Sequence, residues 1–197
     1  MGTTLRQIVD DICGGVLDDK ESKAVQTGGP SGGGRPEKHL DAPVSYETLQ
    51  QLGSIMGSGG MLVMDRNDSM VDVARFYLRF CVDESCGKCA PCRIGGYQML
   101  QILDRVSRGR GSPEDLVTLR RICTAMQKAS LCGLGQTAPN PVLSTMRYFE
   151  DEYKAYIEGG PSYARKMSRA PAGEPPKEAP RPAPTERVQP TAIPPSP

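Results

Sequence analysis

The chain is poor in the residues on which much of enzyme chemistry rests: 197 residues contain no tryptophan, three phenylalanines and one histidine. His39 lies in a loop-like stretch after Pro36. With no second histidine it supports neither a His-rich metal site nor a histidine-based catalytic triad, and it reads as an exposed surface residue. An excess of one charge is also missing. Lys and Arg number 24 against 23 Asp and Glu, a formal net charge of +1, which excludes a protein that binds nucleic acid or a membrane surface by bulk electrostatics. No run approaches the ~18–20 apolar residues of a spanning helix, so no direct membrane insertion is expected. The opening residues lack a secretory signal, which predicts a cytoplasmic protein. Seven cysteines, an odd number, in a compartment that keeps thiols reduced argue against a disulfide framework.

Those cysteines are the most informative feature present. Three fall within seven residues, Cys86-Gly87-Lys88-Cys89-Ala90-Pro91-Cys92, and a fourth stands in Ser130-Leu131-Cys132-Gly133-Leu134-Gly135. Overlapping Cys-x-x-Cys spacers let tight turns aim consecutive thiolates at three irons of a cubane, with a remote cysteine closing the fourth. The small residues Gly87, Ala90, Gly133 and Gly135 allow backbone N–H groups to approach the sulfides. Such contacts, together with Lys88 and Arg93, tune reduction potential. Electron transfer through one 4Fe-4S cluster is the implied function. Structural zinc is the rival, although zinc ligands usually come as two separated pairs. A thioredoxin-like site needs a single Cys-x-x-Cys at a strand-to-helix junction, which this is not. Cys13, Cys81 and Cys123 sit among apolar helical residues and are expected to pack as small hydrophobes without metal.

The fold class expected is α+β: a partial β-rich unit over residues 1–65, a small four-helix bundle over 66–157, and a disordered tail over 158–197. Asp68 or Ser69 can cap a first helix with Val71, Ala74, Tyr77, Leu78 and Cys81 on one face. A second follows Cys92 with Met99, Ile102, Leu103 and Val106, stopping at Gly109 and Gly111. Ser112-Pro113-Glu114-Asp115 opens a third carrying Leu116, Leu119, Ile122, Cys123 and Met126. Asn140-Pro141 opens a fourth with Val142, Met146, Phe149, Tyr153 and Ile157. In this arrangement the loops before the second and fourth helices hold the cysteines. Upstream, Leu5 to Cys13 and Tyr46 to Leu52 read as helical, and Ala24 to Gln26 and Met61 to Met64 as strands. Two strands do not make a stable sheet, so further edges must come from unrecognised segments or from another polypeptide. The glycine-rich stretches 27–34 and 57–60 match neither the Walker pattern nor the dinucleotide fingerprint and read as tight turns with close backbone packing. The tail holds Pro161 and ten prolines between Pro171 and Pro197, with few large apolar residues, and cannot bury a core. Docking through Pro180-Arg181-Pro182 is weakly specified.

Glu84-Ser85-Cys86-Gly87-Lys88-Cys89-Ala90-Pro91-Cys92-Arg93-x-Gly95, with Ser130-Leu131-Cys132-Gly133-Leu134-Gly135-Gln136-x-Ala138 and Pro141-Val142-x-Ser144, resembles the iron-sulfur domain of the NADH-binding flavoprotein subunit of respiratory complex I. The resemblance covers residues 66 to 157. Upstream, Gln26 to Gly33 and Gly53 to Gly60 resemble the β-grasp-like SLBB domain that precedes it. Their wording is closer to NAD(P)-reducing hydrogenase and formate dehydrogenase relatives. The resemblance implies Cys86, Cys89, Cys92 and Cys132 as ligands, with Glu84 and Lys88 beside them. In that family NADH reduces an FMN on a Rossmann-like domain, and electrons then pass through the cluster to other iron-sulfur subunits.

Three departures qualify the match. The family's flavin domain would lie before residue 1, so FMN and NAD are expected only on a partner or missing domain. The chain should not oxidise NADH alone, and no catalytic residue is assigned. A cysteine common in relatives near Gly34 or Arg35 is absent. Ferredoxin-like cysteine runs found at the C terminus of bifurcating relatives are absent too, leaving the proline-rich tail. The alternative to an electron-transfer subunit is a non-redox interaction module stapled by a cluster or zinc.

Overall fold

The computed structural model describes residues 2–16 and 21–167. Its architecture is α+β: a three-stranded antiparallel sheet followed by a helical body. Strand β1 (Ser22–Thr27) lies between β2 (Gly33–Pro36) and β3 (Met61–Asp65), with Gln26 opposite Gly34 on one side and Leu62 on the other. Helix α1 (Tyr46–Gln51) precedes β3, and a π-helical turn (Gln7–Ile12) precedes β1. The body comprises α2 (Met70–Asp83), α3 (Gly96–Ser107), α4 (Pro113–Ala129), the short α5 (Gly133–Thr137), α6 (Asn140–Tyr148) and α7 (Glu150–Met167).

Local chemistry places the helix starts where the sequence predicts them. The Ser69 hydroxyl accepts from the Asp72 N–H at the head of α2. At α4 a capping box joins Ser112 and Asp115 with Pro113 in the first turn, satisfying donors that the helix itself cannot. Val71, Ala74, Leu78, Met99, Leu103, Val106, Leu119, Cys123, Met126, Val142, Tyr153 and Tyr156 form one continuous core across α2, α3, α4, α6 and α7. The sheet uses period-two alternation to feed two smaller cores. Val25 faces Leu5, Val9 and Leu40, while Ala24 and Met64 pack with Met70 on the helical side.

Three expectations change. The glycine-rich 27–34 stretch ends in a strand: β2 supplies the missing sheet edge. Gly33 donates its N–H to Ser54 Oγ (2.9 Å) and Gly34 to Ser144 Oγ (3.0 Å), which fixes this chain segment despite its poor β propensity. The fourth helix is two helices, because Phe149 leaves helical geometry (φ −131°, ψ 36°) between α6 and α7. Finally, α7 continues past Ile157 to Met167, with a kink at Gly160 ahead of Pro161, so residues 158–167 are not tail; residues 168–197, on which most of the expected disorder falls, lie outside the described residues.

Glu152 joins the sheet to the helices. One carboxylate oxygen accepts from the Lys23 ammonium of β1 at 2.8 Å, and the other from the Met70 N–H at the start of α2, also at 2.8 Å. The Lys23 ammonium also donates to the Asp68 carbonyl at 2.6 Å. Both side chains are largely buried, at 16% and 11% exposure. Truncating one partner therefore strands the other charge. Glu152→Ala is expected to destabilise the protein by about 3 kcal/mol in denaturant unfolding, and Glu152→Gln, which keeps hydrogen bonding, by less.

Candidate metal centre

The segment from Ser85 to Gly95 is a turn wrapped on itself. Gly87 adopts φ +73°, a conformation costly for other residues, and its N–H donates to Ser85 Oγ at 3.3 Å. The Arg93 guanidinium donates to the Gly87 carbonyl at 2.6 Å, and the Arg93 N–H to the Cys89 carbonyl at 3.0 Å. A π-helical turn (Pro91–Gly95) then feeds α3. The second loop leaves α4 at Ser130, whose carbonyl accepts from Gln136 Nε2 at 3.0 Å, and Cys132 stands at the head of α5.

These two loops meet. Backbone N–H groups of Leu131 and of Cys92 point at the Cys89 sulfur and hold its thiol below the ordinary range, with the Arg93 charge adding to the effect. A Cβ on Gly135 would lie 2.6 Å from Ser130 Oγ and 3.0 Å from Cys92 Cβ, so only glycine allows this approach. Ser85 Oγ sits 3.3 Å from Cys92 Sγ. Ser130 Oγ is buried with no hydrogen-bond partner, leaving a free hydroxyl next to the cysteines.

Of the four expected ligands, Cys92 is buried, Cys89 half-buried, and Cys86 and Cys132 exposed; all are free thiols. Among the described residues no three His, Cys, Asp or Glu side chains are grouped closely enough to hold a metal ion as they stand. The two loops are thus adjacent, with Cys89 and Cys92 at their contact and Cys86 and Cys132 at the surface. Glu84 and Lys88 are exposed. A groove of about 530 Å³ opens beside Cys92, lined by Ser85, Gly87, Arg93, Ile94 and Tyr97 among others.

The other cysteines behave differently. Burial pushes the Cys81 thiol up to about 11 and the Cys123 thiol up to about 12, so both stay protonated and apolar as expected. Cys13, in contrast, is exposed and does not pack as a core residue. His39 is only partly exposed, its ring edge-to-face with Tyr148 at 5.4 Å between centroids. The hydroxyls of Ser85 and Ser130 were not distinguishable as site residues from sequence. Their positions, one residue before Cys86 and two before Cys132, are the only signal.

The geometry defines a two-loop cysteine site on a helical bundle, and residues 72–156 match the NADH-ubiquinone oxidoreductase-F iron-sulfur binding region. That segment belongs to this family, and the chain is homologous to subunits of NAD(P)-linked oxidoreductases. It is 53% identical over 158 residues to NADP-reducing hydrogenase subunit HndC of Solidesulfovibrio fructosivorans, covering 80% of this chain and 32% of that one. To an NADH-quinone oxidoreductase subunit of Escherichia coli (strain K12) it is 35% identical over 158 residues, covering 80% and 36%. The crystal structure of NAD+-reducing [NiFe]-hydrogenase in the air-oxidized state superposes with a TM-score of 0.70 at 30% identity, over 79% of this chain and 26% of that one. The chain therefore spans about a third of the length of the curated relatives it matches.

Gly135→Ala tests the contact between the loops. The added methyl must push Ser130 away from Cys92, with an expected loss of about 1–3 kcal/mol in thermal or denaturant unfolding. An unchanged melt would mean that the loops are not pressed together at this point.

Proposed function

We propose that this chain holds one 4Fe-4S cluster through Cys86, Cys89, Cys92 and Cys132. It would then serve as the electron-transfer part of a multisubunit NAD(P)H oxidoreductase, between a flavin carried on a partner or missing domain and further iron-sulfur subunits. The observation that carries this reading is the junction at Cys89 and Cys92, where the 86–92 turn and the 130–135 loop touch and backbone N–H groups favour a thiolate.

The residues present fit such a group. The donor set is four cysteines without histidine or carboxylate, the composition of cubane sites. Ser130 Oγ and Ser85 Oγ supply hydroxyl donors beside the sulfurs, and the Leu131 and Cys92 N–H groups supply backbone donors. When bound, the cluster takes up and gives back single electrons. The chain's own part is to hold four thiolates, orient hydrogen bonds toward sulfur, and bury Cys92 away from water. Cys86 and Cys132 stand at the surface on the two loops, outside the core that fixes α2, α3 and α4.

The partner requirement follows from the sheet. Met61 and Leu62 on β3 are 38% and 43% exposed, and no described strand pairs with the outer edge of β3. Such an edge calls for cover. The relatives named as subunits of hydrogenase and quinone oxidoreductase support partner subunits generally, and the resemblance to the NADH-binding flavoprotein subunit implies a flavin-bearing one. The cytoplasm is the compartment in which free thiols of this kind persist.

Assembled anaerobically, the chain should contain about four irons and four sulfides and show a reducible brown chromophore. Stoichiometric zinc without a chromophore would instead support a stapled interaction module. Cys132→Ala should give a labile or three-iron cluster, whereas Cys123→Ala should keep the iron and cost about 1–2 kcal/mol of packing. Equal iron loss in both would show the fourth ligand to be misassigned. The chain alone should retain no FMN and reduce no dye with NADH; stoichiometric FMN with NADH-driven dye reduction would place the electron entry point inside this polypeptide.

A further inference from the structure

Arg35 is 0% exposed, and its Nε, Nη1 and Nη2 all lack hydrogen-bond partners. A guanidinium cannot escape burial by losing its proton as a lysine can, and a buried charge without a counterion is among the costliest arrangements in a protein. Its strand register explains why no acceptor is at hand. Arg35 lies opposite Val25, whose side chain belongs to the apolar cluster of Leu5, Val9 and Leu40.

The surroundings repeat the same sign of charge. Lys38 Nζ lies 5.9 Å and Arg147 Cζ 5.3 Å from the centroid of the Tyr148 ring, against which His39 also packs. The His39 imidazole is pushed down by burial and then by Lys38, Arg35 and Arg147, so each of the three cations lies within electrostatic range of that ring. None of the four forms an ion pair among the described residues. Glu37, next in sequence to Lys38, is directed to Arg66 instead at 3.7 Å. Lys38 and Arg147 are exposed, which gives the cluster a face on solvent, with Arg35 beneath.

We propose that Arg35, Lys38 and Arg147, gathered around Tyr148, form a binding site for a phosphate group. A planar guanidinium offers two parallel N–H donors matched to a phosphate edge, and three permanent cations favour a dianion over chloride or a single carboxylate. Lys38 and Arg147 draw the anion in, and Arg35 gains the counterion that the protein does not provide. The phosphate comes either as the free ion or on a nucleotide.

The test is thermal unfolding of the full chain in a zwitterionic buffer, titrated with inorganic phosphate or with sodium chloride at matched ionic strength. The melting temperature should rise saturably with phosphate and not with chloride. Arg35→Leu, which suits the apolar sheet face, should raise the melting temperature in phosphate-free buffer and abolish the phosphate response. Arg147→Ala, at an exposed position, should weaken the apparent Kd at least tenfold. A parallel titration with ADP distinguishes the sources: tighter binding than inorganic phosphate identifies a nucleotide, weaker binding the free ion. The proposal is overturned if phosphate has no effect beyond chloride, or if Arg35→Leu responds as the parent does. Neither measurement depends on metal loading, so this outcome leaves the electron-transfer reading independent.

Discussion

The pressing of the 130–135 loop against the Cys92 turn is the contact on which the cysteine site depends. The two cysteine segments are separated by two helices, and α3 and α4 bring them together only by packing at close range. A Cβ on Gly95 would lie 2.9 Å from Met126 Cγ, so the π-helical turn that feeds α3 seats directly on the end of α4. Met126, Cys123 and Leu119 meet Met99, Leu103 and Val106 within the same core. Interiors this dense transmit small displacements, so a bulky residue at either glycine is felt at the sulfurs. Site geometry is thus set by helix packing together with the hydrogen bonds inside each loop.

A second set of ties orients the sheet against this bundle. Ser144 on α6 caps the Gly34 N–H, Asn140 donates to the Ser31 carbonyl at 2.7 Å, and Glu152 on α7 holds β1 and α2 at once. Tyr156 donates to Ser69 Oγ at 2.8 Å, and Tyr153 shares a 2.8 Å hydrogen bond with Thr145 in the interior. The polar groups that cross between sheet and helices come chiefly from α6 and α7, downstream of the last cysteine. The residues that follow the site therefore do as much to fix its position as those that carry it.

The helical body was legible because its signals are local: Ser69, Ser112 and Pro113 mark starts, and three- and four-residue spacing marks faces. The cysteine spacing was legible for the same reason. What sequence missed depends on distant partners. Gly33 and Gly34 form a strand because Ser54 and Ser144 accept their N–H groups, a relation no window of neighbours displays. Phe149 interrupts an otherwise continuous helical period where it packs toward Ala24 and Met64 on the sheet and Met70 at the head of α2. Cys13 follows an apolar run yet faces solvent, and His39 sits in a turn yet leans on Tyr148 from α6. In each case tertiary contact overrode a propensity that was correct in isolation.

Buried polar atoms give the most direct pointer to chemistry beyond the chain. Thr145, Ser54, Ser144 and Tyr153 are buried and each finds a partner, as native interiors require. Among the described residues, four side chains do not satisfy all of theirs: Ser22, Gln26, Ser130 and Arg35. Gln26 still donates to the Gly29 carbonyl at 2.9 Å, and Ser22 as a residue is only partly buried, although its hydroxyl oxygen is itself enclosed. Ser130 and Arg35 stand apart in what an outside partner would gain from them. The hydroxyl lies beside Cys92 and suits a sulfur acceptor; the guanidinium acts on His39 along with Lys38 and Arg147 and suits an oxyanion. Desolvation of a neutral hydroxyl costs about 1–3 kcal/mol and that of a charged group more, so the unpaired cation is the stronger of the two constraints. An outside partner for these two would differ in character: a sulfur acceptor for Ser130 at the loops of α3 and α5, an oxyanion for Arg35 where β2 meets the end of α6.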